Sequence, residues 1–141
     1  MSPGATGTGA VLEAMILPAL AHGGYTTRSQ VNIGHRLGRG KHRIDAIAEK
    51  NGKAFLVSLK WQQTSGTAEQ KVPFEAICLS EALMSGSYER AYIVLGGDGW
   101  SLRDFYTTGG LDRHLNNLGA VKIVTLERFI ALANSGRLSD A

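Results

Sequence analysis

Asp45 and Lys60 are the residues whose types and spacing suggest chemistry. Asp45 interrupts the apolar run RIDAIAEK (43–50), and Lys60 stands near the end of AFLVSLKWQ (54–62). Asn51-Gly52 separates the two runs and suits a two-residue hairpin turn, whose central positions need positive φ. Folding back there returns Asp45 toward Ser58 and Lys60. Side chains alternate faces along a strand. Phe55, Val57, Leu59 and Trp61 therefore point one way, and Ala54, Leu56, Ser58, Lys60 and Gln62 the other. On the partner strand the same rule groups Arg43, Asp45 and Ile47, with Ile44, Ala46 and Ala48 opposite. A carboxylate and a lysine at a sheet's end suit metal-assisted phosphodiester hydrolysis. The carboxylate holds a hard cation such as Mg²⁺, the cation polarises the phosphate, and the lysine stabilises the developing charge. The same spacing equally allows a structural Asp45–Lys60 ion pair.

The elements around the hairpin must hold these groups in place. Val11–Ala21 has helical apolar spacing, with a kink or restart expected at Pro18 and a stop at Gly23-Gly24. Tyr25–Ile33 reads as a strand, and HRLGRGKHR (35–43) as a basic, glycine-punctuated turn. Pro73 is expected to begin a helix running to about Met84. RAYIVLGG (90–97) and VKIVTLE (121–127) read as buried strands, and SLRDFYTTGGLDRHLNNLG (101–119) as helical with a Gly-Gly break. A closing helix stops at Gly136. The expectation is an α/β domain over residues 1–141, its central mixed β-sheet flanked by helices and residues 1–8 a flexible tail.

Composition narrows the class. The chain has 141 residues and a net charge of +3, which permits a polyanionic partner without requiring one. Its single cysteine, Cys78, excludes an internal disulfide and reads as a small buried side chain in a cytoplasmic, intracellular setting. The apolar runs are too short for a membrane span, so no membrane is expected. The opening residues lack the basic start of a signal peptide. The histidines show no zinc-ligand spacing, and GGDGW (96–100) lacks a P-loop lysine, so it reads as a loop with Asp98 in a turn.

At RIDAIAEKNGKAFLVSLKWQ the chain resembles the PD-(D/E)xK nuclease superfamily. Asp45 matches its first acid and Lys60 its lysine, and the α-β-β-β-α-β order matches its restriction-endonuclease-like core. The resemblance spans roughly Gly9 to Leu95. It implies a metal-dependent DNA endonuclease using Mg²⁺, with Mn²⁺ as a substitute; a domain this small contacts only a few base pairs, so a homodimer is expected if two strands are cut. Ser58 departs from the pattern, since it stands where the family has Glu or Asp. In a restriction-enzyme branch with Ser-x-Lys, the missing acid comes from the following helix, which points to Glu75. Glu69 is the rival, placed by the sequence in an exposed loop. Glu13 resembles a metal-linked glutamate on the first helix of Holliday junction resolvases. The resemblance further implies a metal ligand in the Leu59 carbonyl and an assisting role for Gln62.

Arg36, Arg39, Lys41, His42 and Arg43 in the basic turn are candidate DNA contacts, as are Thr64, Ser65 and Thr67 after the strand. A branch-selective, resolvase-like nuclease is the first expectation, because no specificity module is recognisable. A sequence-specific restriction or homing enzyme, an inactive DNA-binding relative and a plain α/β interaction domain are the alternatives.

Overall fold

The computed structural model describes residues 8–38 and 40–140. The expected tail, apart from Thr8, and the candidate Arg39 lie outside them. Five strands form one sheet in the order β1-β2-β3-β4-β5. β1 (Thr26–His35), β2 (Lys41–Lys50) and β3 (Lys53–Trp61) run as an antiparallel meander. β4 (Arg90–Gly96) and β5 (Val121–Thr125) are added parallel to β3. Parallel neighbours need crossover connections. These are α3 (Ala68–Leu83), and then α4 (Arg103–Thr107) followed by a 3₁₀ turn (Gly110–Arg113).

The helices cover both faces, as an α/β layer architecture requires. One face packs Ala46, Ala48, Phe55, Val57, Leu59, Tyr92 and Val94 against the N-terminal helical segment and α5 (Leu126–Asn134). The other packs Ile44, Ile47, Leu56, Ile93 and Leu95 against Val72, Ala76 and Leu79 of α3 and Tyr106 of α4. The N-terminal segment is α1 (Thr8–Val11), a π-helical turn (Leu12–Ile16) and α2 (Leu17–His22). Pro18 lies in the first turn of α2, so the chain restarts its helix where proline cannot donate back.

Two expectations need correcting. First, α3 begins at Ala68, so Pro73 is inside the helix. Proline has no N–H, which leaves the carbonyl four residues earlier, that of Glu69, without its helical donor. The Tyr106 hydroxyl donates to that carbonyl at 2.7 Å. A residue from α4 thus repairs the break, and the helix gains a turn that its local sequence does not advertise.

Second, face alternation fails in β2 at Asp45. Ile44 and Ile47 belong to one core, while Ala46 and Ala48 belong to the other. The β2–β3 register ends at Ala46↔Val57. Opposite Asp45, between the pairs Ser29↔Ala46 and Val31↔Ile44, Gln30 takes φ 55°. Such a break re-aims a side chain. Asp45 accepts the Leu59 N–H through Oδ2 at 2.7 Å, where a regular ladder would offer a main-chain carbonyl.

Candidate active site

Ser58 and Lys60 alternate with the first-core residues Val57 and Leu59, so they project on the α3 side of the sheet, at the C-terminal end of β3. α3 sets Glu75 above them, because Val72, Ala76 and Leu79 pack against the sheet at helical spacing and carry Glu75 with them. The result is a cleft of about 310 Å³ lined by Thr8, Arg36, Arg43, Asp45, Ser58, Leu59, Lys60, Trp61, Ala68, Lys71 and Glu75. Its charged lining is two carboxylates, Asp45 and Glu75, against four cations, Arg36, Arg43, Lys60 and Lys71.

Glu75 is 2 % exposed. Arg36 Nη1 donates to its Oε1 at 2.6 Å, Ser58 Oγ donates to its Oε2 at 2.6 Å, and His42 Nε2 lies 3.3 Å from Oε1. Burial alone would raise the pKa of this carboxyl. The contacts from His42, Ser58 and Arg36 and the charge of Lys60 outweigh it and hold the group down at about 2. Ser58 therefore occupies the strand position of an acid and spends its hydroxyl on orienting one.

Asp45 is half-buried, and burial pushes its carboxyl above the ordinary value. The Leu59 N–H and the charges of Lys60 and Arg36 oppose that rise, and the neighbouring Glu75 adds to it. Among the described residues no ion pair joins Asp45 to Lys60, so the structural-pair alternative is not what the molecule forms. Oδ1 of Asp45 makes no hydrogen bond among the described residues. Leu59 borders the cleft through its main chain, since its side chain belongs to the first core.

Several candidates lie elsewhere. His42 is 1 % exposed and faces Glu75, so it cannot meet a duplex on the surface. It alternates inward on β2, and the strand begins at Lys41, before the basic turn was expected to end. Gln62 follows the last residue of β3 and turns away from the Lys60 cleft. Its Nε2 donates to Glu69 Oε1 at 3.0 Å and to the Gly99 carbonyl at 2.7 Å. Glu69 is buried, not in an exposed loop; it accepts the N–H groups of Ser101 and Leu102 at 3.2 and 2.6 Å and the Ser101 hydroxyl at 2.8 Å. Its own burial opposes ionisation, yet those donors win and hold its carboxyl below the ordinary value. Glu13 is exposed in the π-helical turn and does not line the cleft.

Arg36 and Arg43 line the cleft, Arg43 also donating to Gln30 Oε1 at 3.2 Å, while Lys41, Thr64, Ser65 and Thr67 are exposed nearby in sequence. The sequence reading missed Lys71, four residues before Glu75. That spacing places both on one helix face, a signal hidden by starting the helix at Pro73. A larger cavity of about 520 Å³ beside β5 and α4 carries Asp112 as its sole acid and shares no residue with the cleft.

Among the described residues no three His, Cys, Asp or Glu side chains gather as a metal cluster. The donors facing the cleft are nevertheless all oxygen, which suits a hard cation that keeps several waters and few protein ligands. The incompletely bonded, half-buried Asp45 carboxylate is the group best fitted to such an ion.

A PD-(D/E)XK nuclease superfamily domain model matches residues 4–137. No curated protein matches the chain. One solved structure, titled "Crystal Structure of Protein of Unknown Function AF1548", is similar at 14 % identity with a TM-score of 0.48. The similarity covers 78 % of this chain and 54 % of that one, so the chain spans about half its length. No helix among the described residues is long and apolar enough to cross a membrane.

Proposed function

The chain belongs to the PD-(D/E)XK nuclease superfamily, its mixed five-stranded sheet with flanking helices being the restriction-endonuclease-like α/β fold, and we propose that it is a metal-dependent DNA endonuclease. The observation that carries this reading is the convergence of Asp45, Glu75 and Lys60 on one cleft whose lining holds more cations than acids. Asp45 and Glu75 hold the divalent ion, Mg²⁺ or Mn²⁺, with the Leu59 carbonyl as a further ligand. Bound there, the ion supplies Lewis-acid polarisation of the phosphate. Lys60 orients the attacking water and offsets the negative charge that builds on the phosphate oxygens. Arg43 and Lys71 grip neighbouring phosphates, which positions a duplex without reading its bases. Ser58 and His42 set the angle of Glu75.

Branch-selective cutting fits this lining, which offers cations for phosphates and few groups for base edges. Cutting both strands of a junction calls for two copies, hence a homodimer. A binding-only relative is the second reading, favoured by the full engagement of Glu75 with Arg36, Ser58 and His42. The test is incubation with supercoiled, linear and four-way-junction DNA in Mg²⁺ or Mn²⁺, beside Lys60→Ala. The nuclease reading expects cutting by wild type and none by the variant, with junctions cut fastest. Salt-sensitive binding with no cutting by either protein would establish the binding-only reading.

A further inference from the structure

Both oxygens of Glu75 are engaged. Oε1 takes Arg36 at 2.6 Å, Oε2 takes Ser58 at 2.6 Å, and His42 Nε2 stands 3.3 Å from one and 3.4 Å from the other. A cation brought to this carboxylate is opposed by any partner that carries a fixed positive charge, so binding is eased when that partner moves away. His42 and Ser58 are 1 % and 2 % exposed and belong to strands inside the sheet. The Arg36 side chain is 29 % exposed and stands on the turn between β1 and β2. That turn carries Gly38, with φ 94°, and Gly40, and neither has packed atoms within 4 Å of where a Cβ would stand. Arg36 is therefore the partner that can leave. It is also the one whose fixed charge competes with an incoming cation.

We infer that Arg36 is a charge gate on Glu75: it neutralises the carboxylate until a backbone phosphate enters the cleft, then shifts its guanidinium to the phosphate and frees Glu75 for the divalent ion. This rests on the reading of Asp45 and Glu75 as the ion's ligands. Guanidinium binds phosphate through the same two-pronged geometry it uses for carboxylate. Arg36 thus exchanges one anion for another, and Glu75 exchanges one cation for another, so neither buried charge is left unpaired. Ion and DNA binding then become coupled, and the coupling must be reciprocal.

The test uses Mn²⁺ as the probe, counted by the paramagnetic resonance of the free ion. The full chain carries Lys60→Ala to prevent cutting, with and without a short duplex, and ions bound by duplex alone are subtracted. Without DNA, adding Arg36→Gln should tighten Mn²⁺ binding by about tenfold, and the duplex should tighten the Arg36-containing protein by a similar factor. The duplex should tighten the Arg36→Gln protein several-fold less than the Arg36-containing one, the remainder being the phosphate's own contact with the ion. Arg36→Lys, which keeps a charge beside Glu75, should fall between them and guards against a folding defect in the glutamine variant. Equal Mn²⁺ affinity with and without duplex in the Arg36-containing protein would overturn the gate while leaving the ion site standing. No Mn²⁺ binding in any arm would overturn the ion site itself, and the gate with it.

Discussion

Glu75→Gln isolates what the buried carboxylate contributes, because glutamine is close in shape to a protonated glutamate. The carboxyl moves from an ordinary 4.5 in the unfolded chain to about 2 in the folded one. At 1.36 kcal/mol per tenfold change in proton affinity, that difference amounts to about 3 kcal/mol of stability at pH 7. The group's folded pKa is depressed, so this stability is fully present above 4.5 and is lost as pH falls through 2. At pH 3 the folded carboxyl is still mostly ionised and the unfolded one mostly protonated, which leaves about 1 kcal/mol. Asp45, whose folded pKa is raised, contributes in the opposite direction in both proteins, and the part of its rise due to the Glu75 charge is relieved in the variant. Urea unfolding of wild type and Glu75→Gln at pH 7 and pH 3 reads the two gaps directly. The variant should be less stable by about 3 kcal/mol at the higher pH and by about 1 kcal/mol at the lower. A gap that does not narrow on acidification would refute the claim that Arg36, Ser58 and His42 hold Glu75 in its charged form.

Two substitutions outside the cleft test the helix repair at Pro73 and the exclusion of Glu13. Tyr106→Phe removes the hydroxyl that replaces the donor missing at Pro73, and leaving the buried Glu69 carbonyl unpaired should cost about 1–2 kcal/mol in urea unfolding; unchanged stability would mean that carbonyl needs no donor from α4. Glu13→Gln, at an exposed position away from the cleft, should leave Mn²⁺ affinity unchanged and shift stability by less than about 0.5 kcal/mol, whereas loss of Mn²⁺ binding would return Glu13 to the site.

What could be read from the sequence was local. Asn51-Gly52 marked the β2–β3 turn, and alternation along β3 gave the faces of Ser58 and Lys60, because that strand lies inside the sheet with a regular ladder. The resemblance pointed to Glu75 on the helix after β3, and α3 carries it there, buried against Ser58. Three of the failures depended on a residue elsewhere in the chain, and two on where a strand begins or ends. Pro73 marked a helix start until Tyr106 supplied a bond from 37 residues away from Glu69. Glu69 looked solvated because nothing nearby in sequence announced the amides of Ser101 and Leu102. Asp45 was placed by strict alternation, but the strand breaks step there, opposite Gln30. His42 was grouped with its basic neighbours although strand alternation would have turned it inward, had β2 been started at Lys41. Gln62 was carried past the end of β3, where alternation no longer applies.

The ties between Glu69, Gln62 and the segment after β4 have a mechanical meaning. Gln62 N–H donates to Gly96, Gly99 N–H to Gln62, and Trp100 Nε1 to Gly96. The two segments lie so close that a Cβ at Gly97 would stand 2.4 Å from the Gln62 carbonyl oxygen, and one at Gly99 2.5 Å from Thr64. This rim of the cleft is stitched and stiff. At the β1–β2 turn the ties are the Arg36 N–H to the Gly40 carbonyl and Arg36 Nη1 to Glu75 Oε1 at 2.6 Å. Backbone contacts therefore brace the end of β3, while the β1–β2 turn is tied to α3 through the side-chain ion pair Arg36–Glu75.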